Sequence, residues 1–352
     1  MVQNKGFIYK SIPSGFPVVG KDIAVEDSSI DLDQNLPPDS LLVQNHYLSY
    51  DPYIRGRMRP AEESYFPPLT LGQPVVNRGI STVLKSTTAG LAPGDLVEVL
   101  AGCPFEEYSV LPPSTAARVR KLDNPYNLDP TVFLGALGMP GLTAYSSFYE
   151  IGEPKKGETI FISAASGAVG QLVGQLAKHD GLTVIGSVGD DAKVEWIINE
   201  LGFDAGFNYK KEKPRDALKR LAPQGIDIYY ENVGGETLEA AIDNMNWFGR
   251  IIACGMISGY NIKPEENYPI RNLFHVVGKR LKMQGFVVMD ANMGPKWADE
   301  HRKNISKWIA DGTFQYKVSV TEGIDNAAEG FIGMLSGKNF GKAILQISEP
   351  KK

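Results

Sequence analysis

Residues 159–178 read TIFISAASGAVGQLVGQLAK, an apolar run broken by Ala165-x-Gly167-x-x-Gly170 and resumed with a helical period. Val169, Leu172, Val173, Leu176 and Ala177 recur at spacings of three and four, which lays one apolar stripe along a helix over 167–179. The preceding Thr159–Ser163 is short, apolar and bounded by turn residues, the pattern of a buried strand. Strand, glycine turn and helix in that order form a dinucleotide fingerprint. Gly167 would let a pyrophosphate approach the backbone, and Gly170 would let the helix pack closely on the strand. Unpaired N–H groups at the helix N-terminus would face the phosphates. Ala165 stands where the usual pattern has its first glycine.

Downstream, strands are expected at Thr183–Ser187, Ala205–Asn208, Asp227–Glu231, Ile251–Cys254 and Met283–Val288. Helices are expected between them, at 191–201, 213–222, 235–245 and 296–311. Such alternation specifies an α/β class, a Rossmann doubly wound parallel sheet. Upstream the texture differs. Short alternating stretches (Leu41–Asn45, Ser81–Leu84, Asp95–Leu100) are punctuated by Pro37-Pro38, Pro67-Pro68, Pro93-Gly94 and Pro112-Pro113, which reads as a β-rich layer. The β texture returns at Tyr316–Ser319 and Ala343–Ile347. The expected division is therefore 1–128 for the first part of a β-rich domain, 129–315 for the Rossmann domain, and 316–352 for a segment that rejoins the first. A chain of 352 residues is longer than one core usually covers, in keeping with two domains.

A net charge of −5, with lysines and arginines dispersed among carboxylates, argues against nucleic acid as a partner. Cys103 and Cys254 are too few for a disulfide framework or a cysteine-rich metal site. No apolar run approaches the roughly 18 residues of a spanning helix, and the first residues lack the apolar core of a signal peptide. The expectation is a cytoplasmic protein with a small-molecule substrate and no membrane partner.

Which dinucleotide binds is read from the tip of the second strand, where NAD sites place a carboxylate for the ribose 2′-hydroxyl. Here that tip is Ile185-Gly186-Ser187-Val188-Gly189, without a carboxylate, and Lys193 follows in the first turn of the next helix. This favours NADP(H). Asp190 and Asp191 oppose a phosphate, and their ordinary role at such a place is helix capping. Asn232 ends another strand, where it would reach the ribose or simply form a turn before glycine. Tyr260 lies in the loop after the Ile251–Cys254 strand, at the carboxyl end where open α/β sheets bind ligands. Arg55 and Arg57 read as solvated charges near a turn, and Glu106-Glu107 and Glu265-Glu266 as exposed pairs.

Eight stretches together resemble the medium-chain dehydrogenase/reductase superfamily, and within it the zinc-independent alkenal double-bond reductases and prostaglandin reductases. They are NHYLSYDPYIRGRM (45–58), GMPGLTAY (138–145), SAASGAVG (163–170), GSVGDDAKV (186–194), LGFDAGFNYK (201–210), YYENVGGE (229–236), ACGMISGYN (253–261) and GKNFGKAILQI (337–347). The resemblance implies a GroES-like β domain built from both chain ends, a Rossmann domain between them, an active-site cleft at their junction, and a homodimer. Carried over by position, Ser166, Gly167, Val169 and Gly170 would line the pyrophosphate. Gly189, Lys193 and Tyr209 would hold the adenosine 2′-phosphate and its surroundings. Asn232, Cys254, Ser258, Tyr260, the strand residues Phe286, Val287 and Val288, and Asn339 would lie along the ribose and nicotinamide. The family more often has Ser where this chain has Asp190.

Zinc members of the superfamily need a Cys/His ligand set. His46, His179, His275 and His301 form no such cluster with either cysteine in the sequence, so no zinc is expected. Without that Lewis acid, oxidation of simple alcohols is disfavoured. Reduction of an α,β-unsaturated aldehyde or ketone needs only hydride at the β-carbon, a hydrogen-bond donor at the oxygen and a proton for the α-carbon. Tyr260 is the candidate donor, and Tyr53, in the Asp51-Pro52-Tyr53 turn, the candidate for orienting the carbonyl. A quinone oxidoreductase and a cofactor-binding stress protein with little catalysis are the competing readings.

Overall fold

Period-two alternation in the first third of the chain becomes eight strands: β1 (Val2–Tyr9), β2 (Ile23–Ile30), β3 (Leu41–Ser49), β4 (Gln73–Pro74), β5 (Val76–Ser86), β6 (Leu96–Pro104), β7 (Tyr108–Leu111) and β8 (Val119–Lys121). The computed structural model describes residues 1–64 and 66–350, which fall into two units, Met1–Leu134 with Val318–Lys352, and Gly135–Lys317. The second unit contributes β9 (Thr159–Ile162), β10 (Thr183–Val188), β11 (Ala205–Asn208), β12 (Ile226–Glu231), β13 (Met245–Ala253) and β14 (Lys282–Gly285). The chain then returns to the first unit with β15 (Val318–Glu322) and β16 (Lys342–Gln346).

In the first unit one sheet runs β15-β16-β3-β5-β6-β8, with β7 also paired to β3, and a smaller one runs β2-β1-β4. The late strand β16 lies antiparallel to β3, with Ile344 opposite Ser49. Phe7, Tyr50, Phe105 and Phe331 form the aromatic centre of its core, the last carried on the helix Ala327–Leu335.

The second unit is a parallel sheet ordered β11-β10-β9-β12-β13-β14. Strands β9, β10 and β11 step one way across it, and β12, β13 and β14 the other. The order therefore reverses between β9 and β12, and the crevice at their carboxyl ends is where open α/β sheets bind ligands. Ile160, Phe161 and Ile162 of β9 are fully buried, as expected of a strand covered on both faces. The two units together bear out the α/β class with a doubly wound sheet and a β-rich partner.

Some expected elements shift, two of them at the candidate site. The helix after β9 is Gly170–His179 rather than 167–179, because Gly167 donates its N–H to the Ala164 carbonyl and its neighbours are spent on the turn. Phe286, Val287 and Val288 do not continue β14. Asp290 accepts from the Val287 N–H through Oδ2 and donates its own N–H to the Val287 carbonyl, and Gly294 donates to the Val288 carbonyl. Turn chemistry outweighs β propensity there. Among the described residues no helix is long and apolar enough to cross a membrane.

Candidate active site

The turn after β9 is sharp because Ala164 adopts φ +49°, a left-handed conformation that costs an L-residue roughly 1–2 kcal/mol. Ala165 follows, fully buried, with its N–H donated to the Ser187 carbonyl of β10. Its methyl stands 2.8 Å from where a side chain on Gly186 would begin. The glycine missing from the fingerprint's first position is thus matched by a glycine on the neighbouring strand. At Gly170 a Cβ would lie 2.6 Å from the Ala164 carbonyl oxygen and 2.8 Å from the Ala165 Cα, so only glycine lets the helix sit on the turn. At Gly167 a Cβ would meet only the Ala164 oxygen, at 3.1 Å, and the rest of that face is open to a ligand. Ser166 is buried in the turn, and Val169 accepts the N–H groups of Leu172 and Val173 as the helix begins. These residues fit a pyrophosphate.

At the tip of β10 the Tyr209 hydroxyl covers Gly189, 2.7 Å from where a Cβ would stand, so these two expected residues meet. Lys193 lies in the first turn of the helix Asp191–Asn199 and is only 9% exposed. Burial lowers its pKa, Asp190 counters that, and Lys210 adds to the lowering. Asp190 caps the helix, its Oδ1 accepting the Ala192 N–H at 2.9 Å. Asp191 accepts from Asn208 at 2.7 Å and pairs with Lys211, and these hydrogen bonds hold its carboxyl below the usual range. Both carboxylates are therefore engaged in local structure.

Two strand-end loops lie across the switch point. Asn232, after β12, donates its side-chain N–H to the Ser163 carbonyl at 2.7 Å and its backbone N–H to the Ser163 hydroxyl at 2.9 Å, tying β12 to β9. Glu231 just before it is fully buried. Its Oε1 accepts the N–H groups of Val233 at 2.5 Å and Gly234 at 2.8 Å and the Ser163 hydroxyl at 3.3 Å. Burial pushes this carboxyl up despite those donors. The loop after β13 is zipped onto the first. Cys254 and Gly255 donate to the Glu231 carbonyl, Ile257 to that of Asn232, and Ser258 to that of Val233 through both N–H and hydroxyl. Burial pushes the Cys254 thiol up to about 11, so it keeps its proton at neutral pH. Tyr260 caps the turn Ile257–Gly259, and its hydroxyl lies 3.1 Å from where a Cβ of Gly255 would stand. That same position is 3.7 Å from the Asn232 carbonyl oxygen, so Tyr260, Gly255 and Asn232 converge.

Sequence reading passed over Glu231 and Ser163, which build this end. The signal for Glu231 was a carboxylate closing the strand tip YYE, just before the Asn-Val-Gly-Gly turn. Phe286, Val287 and Val288 are half-buried beyond β14. Asn339, in the first unit, donates to the Gly341 carbonyl at 2.6 Å. Tyr53, also in that unit, donates its hydroxyl proton to Asn77 Oδ1.

Several surface assignments need correction. Arg55 is buried and donates to the Pro13 and Gly15 carbonyls, and Arg57 donates to those of Pro67 and Val76, so neither is a solvated charge. Glu107 accepts the Lys5 N–H at 2.8 Å, and Glu106 accepts from Asn4 at 3.4 Å, so this pair anchors β1 instead of facing solvent. Among the described residues, no three His, Cys, Asp or Glu side chains gather as a metal site would require.

Known proteins share this design. A family model for a zinc-binding dehydrogenase matches residues 168–303, and one for the N-terminal domain of an oxidoreductase matches residues 5–119. The NADP-dependent oxidoreductase RED1 of Cochliobolus heterostrophus is 55% identical over 99% of both chains. The NADP(+)-dependent 2-alkenal reductase of Nicotiana tabacum is 42% identical, over 99% of this chain and 98% of its own. The crystal structure of CurA from Vibrio vulnificus in complex with NADPH has a TM-score of 0.89 at 34% identity, over 98% of this chain and 100% of that one. With similarity of this order along its whole length, the chain belongs to the medium-chain dehydrogenase/reductase family of oxidoreductases, alongside the alkenal double-bond reductases.

Proposed function

We propose that this protein is an NADPH-dependent, zinc-independent reductase of the carbon–carbon double bond of α,β-unsaturated aldehydes and ketones. The observation that carries the proposal is the placement of the Tyr260 hydroxyl over Gly255, at the carboxyl end of β13 and against the Asn232 loop. NADPH, when bound, supplies the hydride that adds to the β-carbon. As the carbonyl oxygen gathers negative charge, a hydrogen-bond donor fixed in place is worth most. A tyrosine hydroxyl keeps its proton at neutral pH, so Tyr260 acts as that donor or as the proton source, the α-proton otherwise coming from solvent water or a cofactor ribose hydroxyl. Ser166, Gly167, Val169 and Gly170 hold the pyrophosphate, and Gly189, Lys193 and Tyr209 the 2′-phosphate. Asn232, Cys254 and Ser258 shape the ribose and nicotinamide end. The tobacco relative, named a 2-alkenal reductase, supports the substrate class.

Zinc-independence rests on what the candidate ligands already do. His46 is bonded to the Ser348 and Thr82 hydroxyls at 2.7 Å each, His301 donates to the Ala136 carbonyl at 2.8 Å, and the Cys103 thiol donates to Asn45 at 3.4 Å. The test is steady-state oxidation of NADPH with 2-nonenal, a quinone and a simple ketone in parallel, with metal analysis of the same protein. The expected order places the enal first and the ketone last. A preference for quinone or ketone, or stoichiometric zinc, overturns the proposal.

A further inference from the structure

Behind the Tyr53 hydroxyl runs a chain of buried polar groups drawn from distant parts of the sequence. Lys342, on β16, is 1% exposed, and its ammonium donates to Asp51 Oδ1 at 3.1 Å and to the Tyr50 and Ala343 carbonyls at 2.5 and 3.0 Å. Asp51 Oδ2 accepts from the Ser49 hydroxyl at 2.5 Å and from Asn77 Nδ2 at 2.8 Å. Asn77 donates its other side-chain N–H to the Ser49 carbonyl at 2.7 Å. Burial opposes ionisation of Asp51 but is outweighed by the Lys342 charge and the hydrogen bonds from Ser49, Asn77 and Lys342, which hold the carboxyl below its usual range.

The direction of each bond follows. A carbonyl and an ionised carboxylate can only accept, so both N–H groups of the Asn77 amide are committed to them. The amide oxygen must then point the other way, where it takes the Tyr53 proton. Tyr53 therefore commits its one proton to Asn77, and toward any other partner its oxygen can only accept. Arg78 is the charged group near enough to donate to that oxygen. Packing alone does not call for such a chain, since apolar residues of similar volume are generally no worse than a buried ion pair.

We infer that Asn77, Asp51 and Lys342 are positioning residues that hold Tyr53 as a hydrogen-bond acceptor toward the ligand rather than as a donor to the carbonyl. The inference rests on the proposed function and on the expectation from the sequence that Tyr53 contacts the ligand. Its consequence is that Tyr53 accepts a hydrogen bond from a donor group of the ligand and supplies no proton to it.

Two measurements on the full-length protein test this. In protein labelled with tyrosine carrying 13C at Cζ, the Tyr53 resonance is assigned by its loss in Tyr53→Phe. It is expected to move in Asp51→Asn, and the relay requires most of that shift to vanish in the Asn77→Leu background, where a direct effect of the nearby Asp51 charge would persist. If Asp51→Asn does not fold, Asp51→Asn/Lys342→Met removes both charges and is read the same way. A resonance that stays in place overturns the relay. The second measurement is a cycle of Tyr53→Phe and Asn77→Leu, with KM and kcat read on 2-nonenal at saturating NADPH. Asn77→Leu is expected to raise KM about fivefold, the loss of one neutral hydrogen bond, with a smaller effect on kcat. In the Tyr53→Phe background it should add almost nothing. An equal factor in both backgrounds means Asn77 acts independently of Tyr53, and the inference fails. A wild-type protein that turns over no enal refutes the proposed function instead, and the Tyr53 resonance still decides the relay.

Discussion

Replacing Lys193 with methionine removes one charge and keeps most of the stem that the fold buries. The lysine lies in the first turn of the helix that follows the strand tip, 9% exposed, where a hydrogen bond to phosphate is little diluted by solvent. A hydrogen bond to a charged group contributes about 1.5–3 kcal/mol. Asp190 and Asp191 subtract from that sum, although one caps a helix and the other pairs with Lys211. The lower part of the range, about 1.5–2 kcal/mol, corresponds to NADPH binding weakened roughly 10–30-fold. NADH has no 2′-phosphate, so its affinity should change little. Titration of the nicotinamide fluorescence, with both nucleotides and at two salt concentrations, reads the effect directly. The wild-type preference should shrink as salt rises, and the variant should show little salt dependence. An equal loss for NADPH and NADH, or no loss at all, would refute the placement of Lys193. Asp190→Ser keeps a capping oxygen while deleting a charge, so it should tighten NADPH with little change in stability.

Three further outcomes are expected. Tyr260→Phe should lower kcat on an enal by about 10²-fold with NADPH affinity nearly intact, and retention of full rate removes Tyr260 from the chemical step. Gly170→Ala drives a methyl into the Ala164 and Ala165 backbone, at a cost of about 1–3 kcal/mol by overpacking; thermal melting and NADPH titration should both register it. His46 and His301 are each held down to about 4, chiefly by burial. The unfolded chain takes up these protons below about pH 6.5 and the folded chain only near 4. Their stabilisation is therefore complete above 6.5 and lost as pH falls toward 4, by about 3–3.5 kcal/mol per histidine at most. Urea midpoints at pH 7 and 4.5 measure this, and Phe replacements at both sites should flatten the difference.

What the sequence made legible was local. Ala205–Asn208 was readable to the residue because a short apolar stretch sits between a helix and Tyr209. The glycine turn and its helix were readable because their spacing is physical necessity at one place in the chain. Strand β13 was half seen: Met245–Arg250 lacks period-two alternation, yet it pairs with β12 from the moment the helix ends at Asn244. The long-range polar network was invisible. Nothing near Lys342 announces that its partner is Asp51, and an arginine in a turn, such as Arg55, looks solvated until the carbonyls of Pro13 and Gly15 close over it. Tyr53 was singled out for its position, but its proton direction depends on Asn77, which lies 24 residues away.

The seating of β16 between β15 and β3 has a consequence for how the protein is made. Asp51 and Lys342 are 291 residues apart in the chain. At about 5–20 residues per second, a nascent Asp51 waits roughly 15–60 s for its counter-ion to be translated. During that interval the first sheet lacks the inner strand on which β3 leans, while the contiguous second unit has everything it needs to fold. A ribosome stalled a few codons before Lys342 should therefore display a finished nucleotide-binding half tethered to an unfinished, protease-sensitive one.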